Sequence, residues 1–213
     1  MGIYRQGLRP VLFKLEAEAV HDAAINMAER VGALGPLRGL ASLGFGYRNP
    51  ALKVRAAGLR FPNPVGLAAG FDKTGQAVRG LATLGFGSLE IGSISALSTI
   101  GNPKPRLWRL PQDRAIMVWY GIPNPGATRV AETVQSVNLP VPLGININST
   151  NHGPGAPALG RDEILAEYLR SAQVLVPLAD YLVRTLSRPN TLEPGLVGTF
   201  GNLEPFISLI HYI

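Results

Sequence analysis

The fold of this chain is decided by the segment Asn63-Pro-Val-Gly-Leu-Ala-Ala-Gly-Phe-Asp-Lys73. Its part over residues 64–70 is small and apolar, which is typical of a strand that is buried on both faces of a sheet. Residues 75–84 then predict a helix that ends at Gly85, and residues 86–92 predict a second strand. A strand followed by a helix and another strand indicates parallel pairing with a right-handed crossover.

The same alternation continues toward the end of the sequence. Helices are predicted over residues 127–137 and 161–178, and strands over residues 142–148 and 180–187. A complete (β/α)8 barrel takes about 250 residues, so the sequence predicts an α/β fold, an incomplete (β/α)8 TIM-type barrel of about four βα units. We divide the chain into an amphipathic helical segment over 1–45, a barrel-floor hairpin over 46–62 and the half-barrel over 63–213.

The composition excludes several classes of function. The chain has 213 residues, of which 46% are hydrophobic and 16% charged, and it has no cysteine. Disulfides, thiolate catalysis, zinc fingers and iron–sulfur clusters are therefore excluded. His21, His152 and His211 lie far apart without the spacing of metal ligands, so we expect no metal site. Basic and aromatic residues do not alternate in a stripe, so we expect no nucleic-acid partner.

The N-terminal segment has the pattern of a membrane-surface anchor. One helical face carries Tyr4, Leu8, Val11, Leu12 and Leu15, and a second apolar stripe runs over residues 20–31. Residues 1–60 hold nine Lys or Arg and four Asp or Glu, so most of the net charge of +6 lies there. Two amphipathic helices with basic flanks favour peripheral association with a membrane; the alternative is a helical hairpin that packs on the main body. We expect no transmembrane helix and no cleavable signal peptide.

The segment 63–73 resembles the first strand and loop of the class 2 dihydroorotate dehydrogenases, which are quinone-dependent and membrane-associated. The resemblance continues in family order through Leu84-Gly-Phe-Gly-Ser-Leu-Glu-Ile-Gly92, Gly101-Asn-Pro-Lys-Pro-Arg-Leu-Trp-Arg-Leu110, Leu143-Gly-Ile-Asn-Ile147 and Ser187-Arg-Pro-Asn-Thr191. The N-terminal helix pair and residues 52–61 are similar to the family's quinone-tunnel domain and barrel floor. The resemblance implies a barrel that binds FMN at its mouth, oxidises dihydroorotate and passes electrons to ubiquinone.

The resemblance also implies roles for individual residues. The positions that would contact FMN are Ala68, Ala69, Gly70, Lys73, Ser93 and Asn146, and those that would contact the substrate are Lys73 and Asn190. Small residues at 68–70 would let the backbone approach the flavin ring. Lys73 would place a positive charge beside reduced flavin and the substrate carboxylate.

Several positions depart from the family pattern. Arg188 occupies the position of the family's catalytic serine, and a guanidinium cannot take a proton because it has no acceptor lone pair. Val118 stands where the family has an asparagine that binds the pyrimidine, and Thr185 where it has one that holds flavin and substrate. We expect the later strands that carry the family's FMN phosphate loops to be missing. The sequence therefore predicts a truncated, degenerate family member with no intact catalytic residue.

Two functions fit this pattern, and a further alternative is a decayed or truncated product that folds poorly. The first is a non-catalytic pseudoenzyme without a cofactor, which serves as a structural or accessory subunit of a membrane-associated assembly. The alternative is an active FMN-dependent dihydroorotate dehydrogenase (quinone) of pyrimidine biosynthesis, with FMN held by an oligomer. A half-barrel would expose a row of apolar interior side chains such as Val65, Leu67, Leu89 and Ile91. We therefore expect a protein partner or a second copy to cover the open half-barrel.

Overall fold

The N-terminal part of the protein is helical. The structure is a computed structural model that describes residues 2, 4–47, 49–157 and 159–185. A π-helical turn over Tyr4–Leu8 leads into α1 (Arg9–Leu12), which is followed by α2 (Ala17–Ala33) and α3 (Gly35–Phe45). The sequence predicts two helices here and misses α3, because Gly32 and Gly35 are interpreted as the end of the second helix. Pro36 lies in the first turn of α3, a position for which proline is well suited.

A short antiparallel hairpin follows these helices. β1 (Val54–Ala56) pairs with β2 (Leu59–Phe61). Ala57 and Gly58 connect them with φ angles of 47° and 77°, the left-handed backbone that matches the twist of a two-residue hairpin turn. The antiparallel pair lies within residues 52–61, where the resemblance implies a hairpin, and its role as a barrel floor stays a prediction.

Strands and helices alternate in the rest of the described chain. In order they are β3 (Gly66–Leu67), α4 (Val78–Leu81), β4 (Ser88–Ile94), β5 (Leu107–Leu110), β6 (Ala115–Val118), α5 (Ala127–Val134), β7 (Leu143–Ile147), α6 (Arg161–Leu175) and β8 (Tyr181–Arg184). Short 3-10 turns extend α4 over Ala82–Leu84 and α6 over Val176–Leu178. The strands β3, β4, β7 and β8 form a parallel sheet in that order, which confirms the predicted α/β fold. Their carboxyl ends meet at one edge, which we call the carboxyl edge.

An antiparallel hairpin interrupts the alternation between β4 and α5. β5 pairs with β6 from Leu107 and Val118 to Leu110 and Ala115. The sequence does not predict this hairpin, because all four residues of β6 are exposed. Without one buried face, a strand lacks the alternation of polar and apolar residues that would reveal it.

The first strand of the sheet is shorter and more exposed than predicted. Of the expected strand over residues 64–70, only Gly66 and Leu67 pair with β4, and Val65 is 62% exposed. β3 lies at the end of the described sheet and has β4 as its one strand neighbour there. The expectation of a strand buried on both faces is therefore wrong.

The apolar core lies between the sheet and the helices α4, α5 and α6. Leu89 and Ile91, which are predicted to line the barrel interior, are each 1% exposed and belong to this core. Leu67 is the register partner of Leu89 and lies on the same face. Because side chains alternate across a strand, the opposite face carries Glu90 and its register partner Gly144. The predicted row of apolar interior side chains is therefore wrong, since the apolar positions face the helices.

Candidate active site

Polar side chains from three strands meet at the carboxyl edge. Asn146 of β7 accepts hydrogen bonds through Oδ1 from Ser93 Oγ at 2.8 Å and from Thr185 Oγ1 at 3.0 Å. Ser93 belongs to β4 and Thr185 follows β8, so one amide joins three strands. The structure thus brings together Ser93 and Asn146, both predicted as flavin contacts. Thr185, which the sequence pattern marks only as a lost asparagine, takes part through its hydroxyl.

The loop after β3 is fixed by the buried carboxylate of Asp72. Oδ1 accepts hydrogen bonds from the backbone N–H groups of Thr74 at 2.9 Å and Gly75 at 2.8 Å, and Oδ2 accepts one from Ala77 at 2.9 Å. Asp72 is 1% exposed. A carboxylate that binds the following backbone N–H groups holds a turn in one conformation. Asp72 therefore fixes the position of Lys73, its neighbour in sequence.

The backbone of Ala68, Ala69 and Gly70 is open at this edge. Gly70 N–H donates to Gly92 O at 2.6 Å, and Gly92 N–H donates to the backbone O of Asp72 at 2.9 Å. Gly70 has a φ of 99°, and no atom lies within 4 Å of the position that a Cβ would take there. Ala68 and Gly70 are exposed and Ala69 is half-buried. Because Gly70 has no side chain, a flat ring can approach the backbone closely at this position.

Lys73 lies against an aromatic ring that also meets a second cation. Lys73 Nζ donates to Gly70 O at 2.6 Å and lies 4.4 Å from the centroid of the Tyr120 ring. Arg106 Cζ lies 5.2 Å from the same centroid, and both distances are those of cation–π contacts. Burial lowers the pKa of Lys73, and the charge of Arg106 lowers it further. Burial also raises the pKa of Tyr120 to about 12, so the phenol is neutral near pH 7.

Tyr120 is a site residue that sequence reasoning misses. In the family pattern, the segment 118–123 corresponds to a cluster that binds the substrate, and Val118 lacks the amide of that cluster. Val118 is the last residue of β6 and pairs with Leu107. The Tyr120 hydroxyl, in contrast, is buried and has no hydrogen-bond partner among the described residues. The sequence gives no signal for its role, since the two cations come from positions distant along the chain.

A buried ion pair attaches α2 to this site. Arg106 Nη2 lies 2.7 Å from Glu18 Oε1, and Lys104 Nζ lies 3.3 Å from the same oxygen. The side chains of Arg106 and Glu18 are 9% and 6% exposed. Burial alone would raise the pKa of Glu18, but hydrogen bonds from Arg106 and Lys104 outweigh burial and lower the pKa. These ion pairs thus attach α2 to the carboxyl edge.

A cavity of about 440 Å³ lies between α2 and the carboxyl edge. His21, Phe71, Lys73, Arg106 and Tyr120 contribute to its wall. The His21 ring meets the Phe71 ring edge-on, with centroids 5.1 Å apart. Burial lowers the pKa of His21, and the charge of Lys73 acts in the same direction. The volume is within the range of small-molecule sites, roughly 300–1,000 Å³.

Two predicted site residues lie outside the described part of the chain. These are Arg188, at the position of the family's catalytic serine, and Asn190, a predicted substrate contact. Their roles stay predictions. The predicted flavin contacts from Ala68 to Asn146 are all described, and they lie on β4, on β7 and in the loop after β3.

Neither a metal-ligand cluster nor a membrane-spanning helix is present in the described part of the chain. Among them, no group of three or more His, Cys, Asp or Glu side chains could hold a metal ion. His152 Nε2 lies 3.1 Å from Glu167 Oε1. No third His, Cys, Asp or Glu among the described residues joins this pair to form a metal site. No helix in the described ranges combines the length and the apolar character that crossing a bilayer requires.

Residues 51–203 match the family model described as Dihydroorotate dehydrogenase. The chain belongs to the dihydroorotate dehydrogenase family. Proteins named dihydroorotate dehydrogenase (quinone) from Synechococcus sp. (strain JA-2-3B'a(2-13)), Clavibacter michiganensis subsp. michiganensis and Mycobacterium marinum are 42%, 42% and 40% identical to it. The alignments cover 99%, 89% and 95% of this chain but 55%, 53% and 55% of those proteins.

Two solved structures of dihydroorotate dehydrogenase from Eimeria tenella resemble this fold. The complex with ferulenol has a TM-score of 0.67 at 29% identity, and the match covers 91% of this chain and 49% of that one. The ligand-free form has a TM-score of 0.65 at 29% identity, with coverages of 87% and 51%. The chain therefore spans about half the length of the dihydroorotate dehydrogenases that it matches.

Proposed function

We propose that this chain contributes the flavin-ring side of an FMN-dependent dihydroorotate dehydrogenase (quinone). The observation that carries the proposal is the grouping of Lys73, Ser93 and Asn146 at the carboxyl edge, where barrel enzymes place their chemistry. The names of the relatives support an enzyme over the non-catalytic subunit that the sequence suggests first. All three of the relatives described above are named as quinone enzymes.

The described residues fit one half of FMN. The open backbone at Ala69 and Gly70 admits a flat ring, and Ser93 and Asn146 offer polar groups to its edge. The hydroxyl of Ser149, two residues after β7, is buried and has no partner among the described residues. A group bound at this edge would supply that partner. The phosphate end of the cofactor requires residues beyond those described.

The residues of this chain would bind and orient the reactants. FMN, when bound, supplies the redox chemistry of hydrogen transfer from dihydroorotate toward a quinone. The Lys73 ammonium would attract the substrate carboxylate, and a fixed charge in a partly buried site is more effective than one in water. The bonds from Ser93 and Thr185 would hold the Asn146 amide in one orientation. Because Arg188 cannot accept a proton, the reaction requires another acceptor for the proton at C5.

We place the quinone in the cavity between α2 and the carboxyl edge. Phe71 and the ring of Tyr120 give this cavity aromatic walls, and it adjoins Lys73 at the flavin side. The Glu18–Arg106 ion pair would keep α2 against the edge while a quinone enters. This arrangement would connect the N-terminal helices to the flavin side.

The second candidate function is a non-catalytic subunit of a membrane-associated assembly. Its support is the set of departures at Val118, Thr185 and Arg188, each of which removes a group that the family resemblance assigns to substrate or catalysis. In this case Lys73, Ser93 and Asn146 would be an inherited scaffold, with no FMN bound.

Both candidates share a membrane surface and a protein partner. The N-terminal helices have exposed apolar side chains and basic flanks, which favour peripheral association with a membrane. β3 and β8 are the end strands of the described sheet, and an uncovered end strand pairs readily with another chain. A second copy of this chain, or another protein, would cover them.

The test is dihydroorotate-dependent reduction of a soluble ubiquinone analogue by the purified chain supplied with FMN. We expect turnover, and we expect Lys73→Gln to lower kcat/KM at least tenfold because the cation is lost. Lys53→Gln, an exposed lysine next to β1, is the matched control and should keep the wild-type value. A wild-type chain that reduces no quinone would contradict the enzyme proposal and favour the non-catalytic subunit.

A further inference from the structure

Two adjacent side chains of α6 form hydrogen bonds with the carboxyl edge. Glu167 and Tyr168 are buried, with 2% and 0% of their surface exposed. Polar groups of this kind are costly to bury unless they form hydrogen bonds. Glu167 binds the segment that follows β7, and Tyr168 binds the residue that follows β8. One point on the helix therefore holds the ends of two neighbouring strands.

The Glu167 carboxylate fixes the loop after β7. Its Oε2 accepts a hydrogen bond from the backbone N–H of Thr150 at 2.7 Å, and its Oε1 lies 3.1 Å from His152 Nε2. Thr150 is itself buried. Since a buried carboxylate has to keep its partners, this loop is held in one position against α6.

The Tyr168 hydroxyl fixes the end of β8. It donates to the backbone carbonyl of Thr185, and it lies 3.2 Å from Asn148 Oδ1. On its other side, the backbone N–H of Thr185 donates to Ile147 O at 3.1 Å. The backbone of Thr185 is therefore fixed by β7 through its N–H and by α6 through its carbonyl.

The side chain of Thr185 continues this connection to the flavin side. Asn146 Oδ1 accepts hydrogen bonds from Thr185 Oγ1 at 3.0 Å and from Ser93 Oγ at 2.8 Å. Nδ2 of the same amide donates to Glu90 Oε1 at 3.4 Å. A carboxylate can only accept, so the amide nitrogen faces Glu90 and the amide oxygen faces the two hydroxyls. In this orientation, Asn146 offers an N–H donor to a flavin.

We propose that Tyr168 is a positioning residue of the flavin site: its hydroxyl fixes Thr185, and Thr185 fixes the amide of Asn146. The inference rests on the proposed flavin site and adds to it a residue that acts from α6 through Thr185. A donor that is already in place stabilises negative charge on the reduced flavin ring without reorganising. Removal of the Tyr168 hydroxyl would loosen this donor.

The experiment titrates the full chain with FMN and then measures the midpoint reduction potential of the bound flavin. Tyr168→Phe keeps the ring and removes the hydroxyl. One hydrogen bond contributes about fivefold to an equilibrium constant, so we expect the FMN dissociation constant to rise about fivefold. The midpoint potential should fall, because hydrogen bonds to the flavin ring tune its electronics.

The matched control is Ser171→Ala, one turn further along α6. It also removes a buried hydroxyl, but this hydroxyl donates within the helix, to Glu167 O at 3.1 Å. Ser171→Ala should therefore leave the FMN dissociation constant and the midpoint potential unchanged. A change in both quantities as large as that of Tyr168→Phe would show a general effect of loosening α6 and would overturn the proposal.

A second variant, Thr185→Val, breaks the link between Thr185 and Asn146 while it keeps the shape of the side chain. It should weaken FMN binding about fivefold and lower the midpoint potential. The double variant Tyr168→Phe with Thr185→Val should lose no more than one single variant does, because both changes break the same connection. A loss of about 25-fold in the double variant would mean that the two residues act separately, which overturns the proposal.

The remaining outcomes separate Tyr168 from the flavin site itself. If the wild-type chain binds no FMN, the proposed flavin site fails and the role of Tyr168 fails with it. If the wild type binds FMN and Tyr168→Phe matches it in affinity and potential, the role of Tyr168 is wrong and the proposed function stands. Should Tyr168→Phe not fold, an unchanged midpoint potential in Thr185→Val overturns the proposal, and a lowered one supports it.

Discussion

The Glu18–Arg106 pair is the residue-scale contact that determines how α2 sits on the carboxyl edge. Glu18→Gln would leave the buried guanidinium of Arg106 without a counter-charge, and breaking such a pair costs about 3 kcal/mol of unfolding free energy. Denaturant unfolding of the two proteins measures the loss. The control is Glu132→Gln, which breaks the exposed Arg129–Glu132 pair and should change stability by less than about 0.5 kcal/mol. Equal losses would show that Glu18 is not held in a buried pair.

His21 makes stability depend on pH at the same interface. Its pKa is lowered from the ordinary value of 6.5 by burial and by Lys73, so the unfolded chain binds a proton more readily than the folded one. Stability is therefore full above pH 6.5 and decreases as the pH falls from 6.5 through the lowered folded pKa. In thermal melts between pH 7.5 and 5.5, His21→Gln should lose less stability than the wild type. Identical slopes would contradict the assignment.

The sequence identifies part of the site at the scale of single residues. Ser93 and Asn146 follow from motifs at the ends of two strands, and the structure joins them by a hydrogen bond. Tyr120 and Glu18 do not follow from the sequence, because their roles depend on cations that come from other segments. Spacing along the chain predicts contacts within a motif, whereas contacts between a surface helix and a loop depend on how elements dock.

At the scale of elements, the crossing of α2 and α4 depends on two glycines. A Cβ on Gly80 would overlap the carbonyl oxygen of Ala28, and one on Gly32 would lie 2.7 Å from Gly80 N. Gly80→Ala should therefore lower the unfolding free energy by about 2 kcal/mol, despite the better helix propensity of alanine. Gly39→Ala in α3 meets open space and should raise stability by about 0.5–1 kcal/mol. Stabilisation by both substitutions would mean that the helices are not in close contact.

The hydrophobic periodicity of the sequence predicts the position of a helix, but it does not predict which layer covers a strand. The helix predicted over 161–178 is observed as α6 with its 3-10 extension, because its apolar residues face one core. The sequence predicts the wrong environment for the apolar residues of β4, since alternation shows that Leu89 and Ile91 share a face but not which layer covers that face. That choice is made by the helices packed against the sheet.

At the scale of the whole molecule, the open ends of the sheet predict association. The chain has a mass of 22.7 kDa, and the end strands β3 and β8 each have one strand neighbour among the described residues. We expect light scattering in mild detergent to give about twice the chain mass or more, because an uncovered strand recruits a partner. A monodisperse monomer would argue against a covering partner.

The central claim is that the carboxyl edge of this sheet holds a flavin ring. The most direct measurement is the visible absorption spectrum of the chain purified from its native membrane, followed by titration of the same sample with FMN. The account predicts a yellow protein with flavin bands, and weaker retention of flavin in the Lys73→Gln variant. A colourless protein that also leaves the fluorescence of added FMN unquenched would contradict it.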